Sequence, residues 1–383
     1  MTNSRRVDFL SRIIACTRFI LCALLIWNFG PTLAFTTNPL NMPQQLLLQK
    51  DYSTGNIQRA TAGNKLILSP NLAKSSTSSV LSLALLPFQL EPFALAAFLP
   101  TCLGFWRTGY AVSYGYGGAM LASGLLQLSL LRHTVVSSNT AVAHAALYIF
   151  YGLRLCLFLL NRELSSPVSV HQMKRRDASL KTRLKRFPVV IGSSVLFFFL
   201  AAAPMRVSSG LSGFSTLVTT SSATKALTLN SILALGFGGF LLAAVGDWYK
   251  ARIKLRDGAD TLVTSGPFRY FRHPNYTGEI IGWTASCLLL PVLELVFGLL
   301  TNSSSWINTS KRLIPWILVS GLGWFGICFG VLAGEATAGL EKIQKEKYGG
   351  TPEYEHWMKT SWSGPMLSPR SNTPAATDPA ATQ

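Results

Sequence analysis

Residues 265 to 279 read SGPFRYFRHPNYTGE, the densest concentration of reactive and hydrogen-bonding side chains in the chain. His273 can exchange a proton near neutrality, and Tyr276 can do so beside a cation such as Arg272. The Arg272 guanidinium suits an anion, and Asn275 and Glu279 add further hydrogen-bonding groups. Gly266-Pro267 signals a turn, and Pro274 stops helical continuation behind His273. Glu279 then opens the apolar run EIIGWTASCLLLPVLELVFGLL, where an acid favours the positive end of a helix. These features predict a loop from Arg272 to Glu279 that runs into a helix start at headgroup level, a place able to hold an anion. An interfacial belt of Tyr, Arg and His is the plainer alternative, but a belt has no use for Asn275 or Glu279.

Two further charges stand inside apolar surroundings. Each costs roughly 2.5–3.5 kcal/mol to insert at membrane depth and so needs a reason. Arg154, in YGLRLCLFLLNRE, lies near the end of its apolar run and can either snorkel to the interface or point into a polar cavity. Asp247, in AAVGDWYKARIK, can pair with Lys250 or Arg252 on its own helix, or accept a hydrogen bond from a ligand's ribose or amide.

These groups must be held by membrane helices. Of 383 residues, 49% are hydrophobic and 13% charged, and the mean hydropathy is +0.33. Soluble domains carry about a quarter charged residues, so the fold class is all-α, a polytopic membrane helical bundle. About seven transmembrane helices are expected, over 80–100, 111–131, 140–160, 187–205, 228–248, 279–300 and 313–334. The net charge of +18 falls in loops rather than on a nucleic-acid face. Residues 161–186 carry eight Lys/Arg against two acids, and residues 250–278 carry six against two. That excess orients both loops to the cytosolic or stromal side and leaves membrane lipids as partners, with no nucleic acid. The glycine-rich stretches 114–124 and 236–240 sit inside apolar runs, where close helix packing explains them. The six cysteines are scattered with no ligand spacing, so no metal is expected.

The domain plan starts with a basic and then apolar leader over 1–34, which reads as a signal peptide. Residues 35–79 hold eleven Ser/Thr, four Lys/Arg and one acid, the makeup of a transit peptide or a disordered linker. The two together resemble the bipartite presequence of algae with complex plastids. A plastid membrane is therefore expected, with the endoplasmic reticulum as alternative. The membrane domain covers 80–335 with a cofactor loop at 247–283. A helical tail follows over 336–368, and 369–383 reads as disordered.

RYFRHPNYTGEIIGW, preceded by GDWYKARIK and followed by EKIQKEKYGGTPEYEHWMKTSWSGPM, resembles the steroid 5-alpha-reductase C-terminal superfamily. The nearest branch is the steroid-dehydrogenase-like membrane group formerly catalogued as a domain of unknown function, related to isoprenylcysteine carboxyl methyltransferases. The resemblance covers about 140–368. It implies an oxidoreductase acting on CH–CH groups, in which NADPH reduces a C=C bond of a sterol-, isoprenoid- or other lipid-like substrate. Asp247, Asn275 and Glu279 would hold the cofactor's amide and ribose, and Arg272 and Lys254 its phosphates. Tyr276 or His273 would donate the proton, and Arg154 and Trp283 would line the substrate space. The chain departs from the branch pattern at Ala243, where a Glu is common, and at Tyr249, Pro267-Phe268 and Trp357. An S-adenosylmethionine-dependent methyltransferase and a non-catalytic lipid-binding relative are the other readings of the resemblance. Asn275 and Glu279 favour the reductase. The oligomeric state is not legible.

Overall fold

The computed structural model describes residues 90–132, 139–165, 182–212, 222–300 and 304–362. The expected leader, the stretch 35–79 and the tail 369–383 lie outside the described residues. Among the described residues the chain is helical and forms no strand beyond one isolated bridge between Phe271 and Trp362.

A first helix, α1 (Leu90–Thr101), runs through a 3₁₀ turn into the short α2 (Thr108–Val112) and then α3 (Tyr114–Arg132). The long helices follow: α4 (Asn139–Ser165), α5 (Arg183–Ser212) and α6 (Ser222–Asp257). After a loop containing a 3₁₀ turn at Gly266–Arg269 comes α7 (Pro274–Trp283), which passes through a π-helical stretch, Thr284–Leu289, into α8 (Leu290–Leu300). The last run is α9 (Ser304–Phe325), a twelve-residue π-helical stretch Gly326–Thr337, then α10 (Ala338–Tyr348) and α11 (Pro352–Thr360).

Five segments are long and apolar enough to cross a membrane: Asn139–Ser165, Arg183–Ser208, Ala223–Asp257, Pro274–Phe297 and Leu313–Tyr348. They coincide with five of the seven expected windows. The other two differ in character. The described part of the first is the short apolar segment Glu91–Phe105. The second is α3, whose glycines, Ser123 and Gln127 are largely buried within the bundle.

Small residues decide which helices touch, as their placement in apolar runs predicted. Gly117 of α3 lies against Gly152 of α4: a Cβ on Gly117 would stand 3.1 Å from the Gly152 carbonyl and 2.7 Å from Cys156 Sγ. Gly239 of α6 meets Gly278 of α7 in the same way, with 2.7 Å between a Cβ there and the Gly278 carbonyl. Backbones this close gain dispersion contacts that apolar lipid cannot supply. Ala243 is fully buried at this α6–α7 contact, where its backbone packs on Gly278. A small side chain suits that position.

Pro274 begins a helix rather than ending one. It sits in the first turn of α7, where the missing N–H is no loss and the fixed φ is already helical. Asn275 and Tyr276 therefore lie on the helix, and Glu279 stands more than a turn inside it instead of at its mouth. This corrects the predicted loop over 272–279.

Candidate functional site

The α4–α6 and α6–α7 contacts bring together charges remote in sequence. Arg154 Nη1 donates to Asp247 Oδ2 at 2.9 Å, and Arg154 Nη2 donates to Glu279 Oε1 at 2.7 Å. All three side chains are nearly sealed, at 7%, 12% and 8% exposure. Arg154 thus does not snorkel, and Asp247 bonds across helices rather than to its own neighbours. Arg252 instead lies over the Trp248 ring at 5.2 Å. The guanidinium forks because it is planar and offers two parallel donors, which a lysine lacks. Lys250 lies within electrostatic reach of Asp247, and the Asn275 side chain approaches the same carboxylate.

Aromatic rings form the wall behind this cluster. Arg154 stands over the Tyr151 ring at 4.7 Å. Tyr151 and Phe240 each lie 4.8 Å from Trp283, with Tyr148 at 5.5 Å and Tyr116 at 6.1 Å. The hydroxyls of Tyr116 and Tyr151 and the indole N–H of Trp283 are buried and make no hydrogen bond of acceptable geometry; nor does Arg154 Nε. The Tyr116 and Tyr151 hydroxyls nonetheless interact with each other, and Tyr151 with the Glu279 carboxylate. A buried polar atom without a partner costs about 1–3 kcal/mol, and these atoms lie among rings packed against one another in the core.

A second polar group continues along the same helix face. His144 Nε2 lies 2.7 Å from Ser286 Oγ and its Nδ1 3.1 Å from Ser208 Oγ. Ser286 donates to the Tyr148 oxygen at 3.1 Å, Tyr148 to the Leu200 carbonyl at 2.7 Å, and Ser208 to the Met205 carbonyl at 3.1 Å. The sequence reading missed His144, Tyr148, Tyr151, Tyr116 and Ser286. A signal existed for three of them: His144, Tyr148, Tyr151 and Arg154 recur at steps of four, three and three, one face of a helix.

The remaining candidates lie at the rim. Arg272 Nη1 donates to Glu341 Oε1 of α10 at 3.1 Å, and His273, only 2% exposed, has Nε2 3.5 Å from the same oxygen. Burial holds the His273 imidazole below its ordinary range, outweighing the upward pull of Glu341. Tyr276 is partly buried against the core, with its ring 6.1 Å from that of His273. Lys254 stands apart: its ammonium donates to the Ala259 carbonyl at 2.6 Å. The structure therefore gathers Arg154, Asp247, Glu279, Asn275 and Trp283 in one place and Arg272 and His273 in an adjoining one.

The tail helices bind the rim loop. Trp357 Nε1 donates to the Phe268 carbonyl at 2.6 Å, Arg272 N to the Trp362 carbonyl at 2.9 Å, and Trp362 N to the Tyr270 carbonyl at 2.8 Å. Tyr348 Oη donates to the Asp260 carbonyl at 2.6 Å, and Lys347 pairs with the Asp260 carboxylate.

Residues 112–360 match the profile of a family described as protein of unknown function, DUF1295. That match spans more than half of the chain, which belongs to this family. No curated protein and no solved structure matches it.

Proposed function

We propose that this DUF1295 member is a membrane-embedded reductase that uses NADPH to saturate a C=C bond in a sterol-, isoprenoid- or other lipid-like substrate. The observation that carries the reading is the buried Arg154–Asp247–Glu279 cluster beside a packed aromatic group that includes the unpartnered Trp283 N–H. The likeness of RYFRHPNYTGEIIGW to the steroid 5-alpha-reductase superfamily supports it independently.

The residues fit such a cofactor. Asp247, Glu279 and Asn275 offer acceptors for ribose hydroxyls and a carboxamide, and Arg272 offers a guanidinium for phosphate, with Lys254 farther out on the same side. NADPH supplies the hydride when bound. The protein's part is to exclude water, orient the lipid against the aromatic wall and deliver one proton. His273 and Tyr276 are the donors nearest the rim, and Tyr151, beside Arg154, is the donor deepest in the bundle.

A second reading has its own observation. Two carboxylates face one guanidinium, and aromatic faces surround them, an environment that suits a sulfonium as in S-adenosylmethionine. Purified protein in detergent separates the two. NADPH at a hundred times its Kd should stabilise the fold by about 2.7 kcal/mol, with no effect of S-adenosylmethionine. Stabilisation by S-adenosylmethionine alone would replace the reductase with a methyltransferase. An unsaturated lipid precursor should accumulate in cells lacking the protein. In this reading the chain resides in a plastid membrane, with the endoplasmic reticulum as alternative; imaging of a C-terminal fluorescent fusion decides between them.

A further inference from the structure

Two consecutive basic side chains at the start of α7 converge on one oxygen of Glu341. Arg272 Nη1 reaches Glu341 Oε1 at 3.1 Å, and His273 Nε2 stands 3.5 Å from it. Neither side chain completes its bonding there, because Arg272 Nε is buried without a hydrogen-bond partner and His273 Nε2 makes only the long 3.5 Å contact with Glu341. The site thus has more donor capacity than one carboxylate oxygen uses, and it lies where the first N–H groups of a ten-residue helix add positive potential. A tetrahedral phosphate brings more acceptors and more charge than a carboxylate.

Glu341 comes from a different part of the chain, on the helix that carries the tail across the rim loop. That helix follows directly on the π-helical stretch Gly326–Thr337. A π-helix holds surplus residues per turn and is frequent at functional sites, so the helix beyond it has a built-in means of changing register.

We propose that Glu341 is an internal stand-in for a phosphate: its carboxylate fills the Arg272–His273 site in the ligand-free protein and is displaced when a ligand's phosphate enters, loosening α10 and α11 from the rim loop. The inference rests on the NADPH reading for the source of that phosphate. An anionic lipid headgroup is the other source of the same chemistry.

The test uses the full chain in maltoside micelles, which carry no phosphate. Binding of NADPH is compared for wild type, Glu341→Gln and Glu341→Asp, and hydrogen exchange of residues 338–362 is followed with and without it. With the competitor neutralised, Glu341→Gln should bind NADPH about tenfold more tightly, because the competent state no longer has to be won from the carboxylate. Glu341→Asp, whose shorter arm keeps the charge but loosens the grip, should fall between. NADPH should speed exchange of 338–362 in wild type, and Glu341→Gln should show that faster exchange without ligand. If NADPH binds wild type and Glu341→Gln equally, or the variant more weakly, the stand-in is overturned while the reductase reading survives. If NADPH binds neither but phosphatidylglycerol loosens 338–362 in wild type, the stand-in holds with a lipid as its ligand and the reductase reading falls. If neither ligand binds any variant, both fall.

Discussion

Arg154 and Glu279 lie 125 residues apart in sequence, yet a 2.7 Å hydrogen bond joins them inside the bundle, and the same guanidinium also holds Asp247. Three charges that would each be expensive alone are tolerable as a forked group, since every charge meets an opposite one. Removing the cation leaves two buried carboxylates facing each other. Arg154→Met should therefore cost about 3–5 kcal/mol in unfolding free energy. Arg154→Lys should lie between Arg154→Met and wild type, because one ammonium cannot serve both carboxylates in the same planar geometry. Arg154→Met combined with Asp247→Asn and Glu279→Gln should recover much of the loss. Denaturant unfolding in detergent checks all three, and an Arg154→Met protein as stable as wild type would rule out the cluster as a structural unit.

The unpartnered phenols carry a second expectation. If Tyr116 and Tyr151 keep their hydroxyls for a ligand, removing those hydroxyls relieves a burial cost in the free protein. Tyr116→Phe and Tyr151→Phe should be neutral or up to about 1 kcal/mol more stable than wild type, and should bind cofactor or lipid less tightly. A marked loss of stability in either variant would mean that the hydroxyl already has a protein partner.

His273 sets a pH dependence of definite sign. Its folded-state affinity for a proton is lowered by burial, with Arg272 and Lys250 acting in the same direction and Glu341 against them. The unfolded chain therefore binds the proton more readily. The stability this group contributes is full above the ordinary histidine value of about 6.5 and is lost as pH falls from there through the lower folded value. Wild type should lose stability over that interval by no more than about 1.4 kcal/mol per pH unit from this group, and His273→Gln should lack that component. Thermal unfolding of both proteins from about pH 5 to about pH 8, a range that brackets the ordinary histidine value, measures the difference; parallel curves would remove His273 as its source.

Arg154 and Asp247 were legible in the sequence as charges in apolar surroundings, because a charge at membrane depth demands an explanation, and Glu279 as the acid that opens an apolar run. That they explain one another was not legible. Nothing local links a residue of α4 to residues of α6 and α7, and only the packing of α4 on α6, with α7 held to α6 through Gly239 and Gly278, brings them together. Pro274 was legible as a helix boundary but not as to which side of it the helix lies on, since proline fits a first turn as well as it breaks a middle one. Glu341 was hidden for another reason. It sits in EKIQKEKY, a mixed-charge amphipathic segment that reads as a solvated face, and its role depends on where the tail folds back. The aromatic wall was masked by composition, as tyrosines in an apolar helix look like ordinary packing until their hydroxyls are counted.

The contacts linking Leu200, Tyr148, Ser286, His144, Ser208 and Met205 number five. Two serines, one phenol and an uncharged imidazole own only four protons among them. One contact in the row is always left bare, and hydroxyl rotation together with a switch of imidazole tautomer moves the bare place along it while every heavy atom stays put. The centre of this bundle can therefore exist in several electrically distinct states of identical shape.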